Sequence, residues 1–536
     1  MDLVLMGGNV LTMDPRRTRA EAVAVEGGKI AAVGANAEIA HDIGPETIVV
    51  HLAGRTLLPG FIDPHNHFSL TSFEPASVDC RVPPHRSIGS ILDAIAAAAK
   101  DAPKGRWIRG WGFRTWLVRE NRGITRWELD EVAPDHPVCL MDTSCHACYA
   151  NSAALALAGI DRHTPDPPHG WILRDKAGEP DGTLWEGAMN LVHALSLKAY
   201  LEYYRDNVTD LVHHNCRRHL ACGITSVGDA LVTPEAAAMY RVTESQRKLP
   251  MVVHQMLGGE YFFAPPVGVA MGEVDYGQVS DRLRGGTMKI FMDPVFPSYA
   301  LMRYHACGQE ECLGERYYTQ DAVDRLVLGA HQRGLQVAIH CLGNWAVEQA
   351  LNAFERAQRQ HPRAEPRFRI EHLTLTTPSQ IRRAQSLGVI AAVQPAFIFT
   401  HGERYAARAQ ELDGDVRPMP FQTMLSEGMV VAATSDSPCA PVEPLLGLSA
   451  MVTRRTRRDG TPIAPEEAVT PLEGLRMYTL NAAYAMSRER EVGSLEPGKR
   501  ADMVVLSHDP TAVDPAFIRE IAVEQTYVEG QLLYQR

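Results

Sequence analysis

Two histidines spaced i, i+2 in Phe61-Ile62-Asp63-Pro64-His65-Asn66-His67 are the residues of this chain best placed to do chemistry. Side chains alternate along a strand, so His65 and His67 share one face while Asn66 points away. Neutral imidazole is the commonest biological ligand for zinc and related ions, and two rings at one strand end make half of a metal site. Taken alone, the pair reads equally as two satisfied histidines in a loop. Later runs bear on that choice. Leu335-Gln336-Val337-Ala338-Ile339-His340 and Arg367-Phe368-Arg369-Ile370-Glu371-His372 each stop at a histidine, and Met429-Val430-Val431-Ala432-Ala433-Thr434-Ser435-Asp436 stops at a carboxylate. Met288-Lys289-Ile290-Phe291-Met292-Asp293 carries a lysine inside an otherwise apolar strand, where an uncompensated ammonium is costly. One ion, met by the carboxyl ends of several parallel strands, gives all of these groups a reason to be there.

The elements that would bring them together alternate strand-like and helix-like runs, the signature of a parallel sheet with crossover helices. Strand-like runs at 223–227, 251–255 and 388–394 join the first histidine strand, the lysine strand, the two later histidine strands and the aspartate strand, which makes eight. Helical patterns over 322–333 and 345–359 separate several of them. The expected fold is therefore α/β, a TIM-like (β/α)8 barrel over residues 59–486. The stretch of about 75–205 exceeds any ordinary loop, and such insertions form a lid or a substrate wall. Residues 1–58 read as short strands, with Ala22-Val23-Ala24-Val25 turning through Glu26-Gly27-Gly28-Lys29 into Ile30-Ala31-Ala32-Val33. Residues 487–536 end in a second hairpin, at Glu529-Gly530. Chain ends often lie close together, so both are expected to build one small β-sandwich domain.

Composition narrows the function classes. The 536 residues are 45% hydrophobic and 22% charged, ordinary for a soluble globular protein. A formal net charge of −11, with no Lys/Arg block beyond the local Arg454-Arg455 and Arg457-Arg458 cluster, argues against nucleic acid as a partner. The first residues lack a basic region followed by a signal-length apolar core, and no run approaches the roughly 18 apolar residues of a membrane span. A cytoplasmic protein without membrane contact is expected. Ten scattered cysteines resemble reduced, mostly buried thiols rather than a disulfide framework. Cys145-His146-Ala147-Cys148, with Cys139 nearby, is the cluster to weigh as a zinc or redox site. No second Cys-x-x-Cys pair follows at zinc-ribbon spacing, so loop or core packing is the simpler reading.

Several further pieces occur in a fixed order. After the Pro59-Gly60-Phe61-Ile62-Asp63-Pro64-His65-Asn66-His67 opening come Cys145-His146 with Asn151-Ser152-Ala153-Ala154-Leu155, then Lys289-Ile290-Phe291-Met292-Asp293, Glu371-His372, Gln394-Pro395 and Ser435-Asp436-Ser437-Pro438. Asn481-Ala482-Ala483 and the tail Gly493-Ser494-Leu495-Glu496-Pro497-Gly498-Lys499-Arg500-Ala501-Asp502 complete the set. Together they resemble the amidohydrolase superfamily, and within it the amidohydrolase-3 branch, which includes N-substituted formamide deformylases and many metal-dependent hydrolases. The resemblance implies that His65, His67, His340, His372 and Asp436 hold one or two divalent ions, zinc being expected, with Lys289 carbamylated and bridging two. A buried amine that desolvation frees of its proton can take up carbon dioxide as an anionic carbamate, which two cations stabilise. The plainer alternative is an ordinary amine paired with Asp293 or Asp436 beside one ion. Two departures from the family pattern, Asp293-Pro294 where Asp-Gly is usual and Gly343-Asn344 where Gly-Asp is usual, put the local geometry at both places in question.

The implied reaction is hydrolysis of the C–N amide bond of an N-acyl or N-formyl amine, with or without an aromatic group, by metal-activated hydroxide. Asp436 would orient the water, take its proton and return one to the leaving group. His146 either touches the substrate carbonyl or is a satisfied loop histidine. Gln394 either lines the pocket or is a structural amide. Trp111, with Trp107, Phe113, Trp116, Trp171 and Trp185, offers aromatic surface in the insertion for an apolar small-molecule substrate, or else builds core. Hydrolysis of a cyclic amide, lactone or ester, and deamination, are the alternatives on the same metal site. A non-enzymatic barrel scaffold would have no need of the ligands. A homodimer is the default assembly.

Overall fold

The computed structural model describes residues 1–16, 19–258, 280–296, 298–304, 310–412 and 415–536. Its centre is a sheet of eight parallel strands: β1 (Phe61–Asn66), β2 (Ile224–Val232), β3 (Val252–Gly258), β4 (Leu283–Phe291), β5 (Gln336–Cys341), β6 (Arg369–His372), β7 (Ile390–Val393) and β8 (Val431–Ala433). Each pairs with its neighbours in chain order. Between β8 and β1 the ring is completed just past the strand ends, where the Asp436 N–H donates to the His65 carbonyl and the His67 N–H to the Ser437 carbonyl, both at 2.9 Å. β5 and β7 are covered on both faces and buried at every position, and β7 accordingly reads as a continuous apolar run.

Helices cross from strand to strand. α1 (Val208–Ala221) leads into β2, α2 (Pro234–Ser245) into β3, α3 (Gln320–Gln332) into β5, α4 (Asn344–Gln360) into β6 and α5 (Pro378–Ser386) into β7, while α6 (Ala396–Gln410) follows β7. Local chemistry sets their starts. Thr319 accepts the Ala322 N–H ahead of α3, and Thr377 with Gln380 forms a capping box on α5. α4 buries Val347, Ala350, Leu351 and Phe354, an i, i+3, i+4, i+7 stripe, and Phe354 stacks on Phe368 at 4.3 Å between ring centroids.

Both chain ends meet in a second sheet of eight strands. Five come from the first sixty residues and three from the tail, Met503–Leu506, Val523–Val528 and Gln531–Gln535. The seam is the antiparallel pairing of Thr56–Pro59 with Met503–Leu506. Leu5, Val23, Leu57, Met503 and Val505 share one core across it.

The segment between β1 and α1 is a folded layer. Its six strands run in the spatial order Gly170–Arg174, Pro180–Glu186, Ala147–Ala150, Val138–Asp142, Ile108–Phe113, Val78–Asp79. The helix Ile88–Asp101 packs Ile88, Ile91 and Ile95 against them. Among the described residues no helix is long and apolar enough to cross a membrane, and the nine cysteines found there are free thiols.

Candidate active site

β1 delivers His65 to the carboxyl end of the barrel, and His67 follows one residue beyond the strand, at the start of the short helical turn Phe68–Thr71. Nε2 of His65 and Nε2 of His67 lie 3.2 and 3.1 Å from Oδ1 of Asp436, just after β8. Ligand atoms of these three residues all lie within 4.8 Å of one another. His340 near the end of β5 and His372 at the end of β6 close the ring, with centroids 4.4 Å apart, and His372 stands 5.1 Å from His65. Asn66 points away, as alternation requires: its Nδ2 donates to Asp63 at 2.9 Å. Lys289, fully buried on β4, places Nζ 3.3 Å from Nε2 of His65. The five expected ligands and the lysine therefore converge on one centre.

The second ring nitrogens are held from behind. Glu371 Oε2 lies 2.6 Å from Nδ1 of His65. Arg369 in turn grips both Glu371 oxygens, at 2.8 and 2.9 Å, and neither side chain has any exposed surface. Gln394 Oε1 accepts from Nδ1 of His372 at 2.8 Å. A carboxylate or amide oxygen on Nδ1 fixes the proton there and leaves Nε2 as the lone-pair nitrogen, the tautomer a metal needs. Nε2 of His340 and Oδ1 of Asp436 are buried with no hydrogen-bond partner among the described residues, although two imidazole nitrogens face that oxygen. Buried polar atoms are normally satisfied. Converging lone pairs of imidazole and carboxylate fit a divalent cation, and they make a donor set that zinc and its neighbours accept.

Electrostatics agree. Burial carries His372 down to about 3 and His340 well below the ordinary histidine range, so both are neutral. Burial and the Lys289 charge oppose a proton on His65, but the carboxylates of Asp436 and Glu371 outweigh them and raise it; what favours a proton there also favours a metal cation. Asp436, despite burial, is drawn well below the carboxylate range by His65 and His67. Burial lowers the Lys289 amine to about 8, within reach of neutral pH.

The insertion supplies the other wall. His146, Ser144 and Trp116 line a cavity of about 40 Å³ with the histidine cluster, Phe291 and Cys439, which is room for roughly one or two waters. His146 is no ordinary loop residue. Nδ1 lies 2.6 Å from Oε2 of Glu186, a fully buried carboxylate that also accepts the Tyr317 hydroxyl at 2.5 Å and the N–H groups of Val295 and Phe296 at 2.9 and 2.8 Å. Glu186 has φ +52, unusual for a residue with a side chain.

Two sequence-based assignments need correction. Trp111 lies outside the cavity, in the insertion's own core with Cys139, Met141 and Leu184, because it sits on a strand of a sheet buried on that face. Trp116, beyond the end of that strand, takes the wall position and packs against His401. Gln394 also lies off the cavity wall; its amide is used up by His372 and by Thr434, to which Nε2 donates at 3.0 Å. The two departures resolve into loop supports. Asp293 accepts the N–H groups of Ala300, Leu342 and Gly343, and burial lifts its carboxyl to about 7. Asn344 binds the Met302 N–H and carbonyl. Sequence reasoning missed Glu186, the roles of Arg369 and Glu371, and the wall formed by Phe397, His401, Arg404 and Tyr405 on α6. Only the Arg369-x-Glu371 spacing, which puts both groups on one strand face, carried a usable signal.

Known proteins resemble this chain in sequence and fold. A sequence model described as the amidohydrolase family matches residues 49–534. An N-substituted formamide deformylase of Arthrobacter pascens is 40% identical over 100% of this chain and 98% of its own length. An uncharacterized metal-dependent hydrolase from Pyrococcus horikoshii OT3 superposes with a TM-score of 0.70 at 21% identity, covering 96% of this chain and 99% of its own. An atrazine chlorohydrolase from Arthrobacter aurescens TC1, solved with zinc, reaches 0.54 at 16% identity over 99% of this chain and 95% of its own.

Proposed function

Since the chain belongs to the amidohydrolase family, we propose that its reaction is the metal-dependent hydrolysis of a carbon–nitrogen amide bond outside peptides, with an N-substituted formamide or a related N-acyl amine as substrate. The observation that carries the reading is the convergence of His65, His67 and Asp436, with His340 and His372 completing the ring, in a chain 40% identical end to end to a formamide deformylase. The ligands are His65, His67, His340, His372 and Asp436. The expected ion is zinc, in two copies when Lys289 is carbamylated; an amine lowered to about 8 is free often enough at neutral pH to take up carbon dioxide. A divalent ion held there lowers the pKa of water toward about 7 and polarises a carbonyl.

This chain's own groups do the rest. Asp436 Oδ1 takes the proton of the attacking water and delivers it to the amide nitrogen, which then leaves as the amine. His146 meets the substrate carbonyl through Nε2, aimed by Glu186 at its Nδ1. Trp116, Phe291 and Phe397 close around the substituent and exclude bulk water. A formamide and one water yield an amine and formic acid.

Elemental analysis of the purified protein, with kinetics on N-substituted formamides, N-acyl amines, cyclic amides, lactones and aminated heterocycles, tests the reading. Metal-bearing protein with formamides leading in kcat/KM is the expected result. Metal-free protein, ammonia release from a heterocycle, or lactones outpacing every amide overturns it. A planar carboxylate on Lys289 Nζ in a crystal structure is the expected sign of the carbamate, and an unmodified amine beside a single ion rejects it.

A further inference from the structure

The Cys145-x-x-Cys148 spacing suggests one thiol pair, and the fold makes another. Cys145 Sγ, on the insertion, lies 3.8 Å from Sγ of Cys439, 294 residues away and three beyond Asp436. The two turns already touch: Cys439 Sγ lies 3.4 Å from the Ser144 carbonyl, and Arg114 donates to the Cys439 carbonyl at 2.9 Å. Cys439 is buried but faces the active-site cavity, whereas Cys145 is half-buried. We propose that Cys145 and Cys439 form a modification site at the seam between insertion and barrel, closed to a disulfide by hydrogen peroxide.

Access follows from exposure: Cys145 is half-buried rather than buried, and peroxide is little larger than water and similarly polar. The more open Cys145 thiol attacks one peroxide oxygen, breaking the O–O bond; the sulfur is oxidised to a sulfenic acid and one water leaves. Cys439 Sγ then attacks the Cys145 sulfur, the S–O bond breaks, and the departing hydroxide leaves as a second water with the Cys439 proton. Two thiols are oxidised and one peroxide is reduced, so no other partner is needed. A disulfide needs about 2.05 Å between sulfurs. Closing a 3.8 Å gap draws the turn that carries His146 toward the turn that carries Asp436, the two residues that must straddle the substrate. A transient bond of this kind is what a reducing compartment permits.

The test uses the full chain. After peroxide treatment and quenching, remaining thiols are alkylated and the unreduced digest is mapped by mass spectrometry. The expected finding is a Cys145–Cys439 linked peptide, with turnover lower by about a hundredfold, the cost of displacing a positioned group by about 1 Å, and restored by dithiothreitol. Cys145→Ser, compared with its own untreated rate, should resist peroxide. The proposal fails if both thiols remain alkylatable after treatment, if either is recovered as a sulfinic acid instead, if the disulfide forms with turnover unchanged, or if Cys145→Ser is inactivated like the parent. The mass readout does not depend on which bond the enzyme cuts, so this failure is separable from failure of the proposed reaction.

Discussion

Glu186 and Glu371 do the same thing to different imidazoles: each sets a buried carboxylate 2.6 Å from Nδ1 of a histidine at the cavity. Their consequences should differ, because His65 is a proposed ligand and His146 a proposed substrate contact. Glu371→Gln should weaken metal binding by about 10- to 100-fold, and Glu186→Gln should keep the metal while lowering kcat by a similar factor. Metal content beside steady-state kinetics checks both. Metal loss in Glu186→Gln would move His146 into the ligand set. The tryptophans give a second contrast: Trp116→Ala should raise KM for substrates with large apolar groups more than for small ones, whereas Trp111→Phe, in the insertion core, should change stability but not that ratio. The ligands stood out in the sequence because each ends or interrupts an apolar run, an arrangement packing alone disfavours. Glu186 did not, since one carboxylate between Trp185 and Gly187 looks like any strand end, and its partners Tyr317 and Val295 lie more than a hundred residues away.

At the scale of elements, the site depends on how closely β2 approaches β1. A Cβ on Gly228 would sit 2.3 Å from the carbonyl oxygen of Pro64, the residue before His65, and backbone cannot swing aside as a side chain can. Gly228→Ala should therefore cost about 1–3 kcal/mol of stability and, by pushing β1 back, also release metal. Denaturant unfolding with metal content decides it, and a variant that loses neither would show that the strands can slide. The barrel strands were legible because most are short, largely apolar runs, and five of them, β1, β4, β5, β6 and β8, carry or directly precede a site residue. The insertion's strands were not. They are two to seven residues long and are ordered in space by pairing rather than by chain, so the segment expected to be a lid or wall, which does line the cavity, also carries a sheet with its own core. Gly343 shows the same limit on the barrel side: a Cβ there would meet the Ala300 carbonyl at 2.0 Å, an approach made by a loop that no periodicity reveals.

For the whole molecule, buried neutral histidines set a pH dependence. Burial holds His219 and His254 at about 3, while an unfolded histidine titrates near 6.5. As pH falls below 6.5 the unfolded chain binds protons that the fold refuses, so stability is full above that value and is lost progressively toward 3. One unit below 6.5, each histidine costs about 1.4 kcal/mol. Asp293, lifted to about 7, takes up a proton in the fold over the same window and opposes this loss, so the histidine contribution is read as a difference: between 6.5 and about 4.5 the denaturant midpoint of His219→Gln should fall less steeply than that of the parent. Equal slopes in variant and parent would contradict it. The pairing of Thr56–Pro59 with Met503–Leu506 reaches further, into how the protein is made. At roughly 5–20 residues per second, a ribosome that has finished Pro59 needs roughly 20 to 90 s to produce the strand that covers it. Throughout that interval the nascent chain carries a naked apolar edge beside an unclosed barrel, a template for intermolecular pairing. Synthesis, rather than equilibrium stability, then becomes the step at which this enzyme is most exposed to aggregation, and holdase supply or faster translation the levers on its soluble yield.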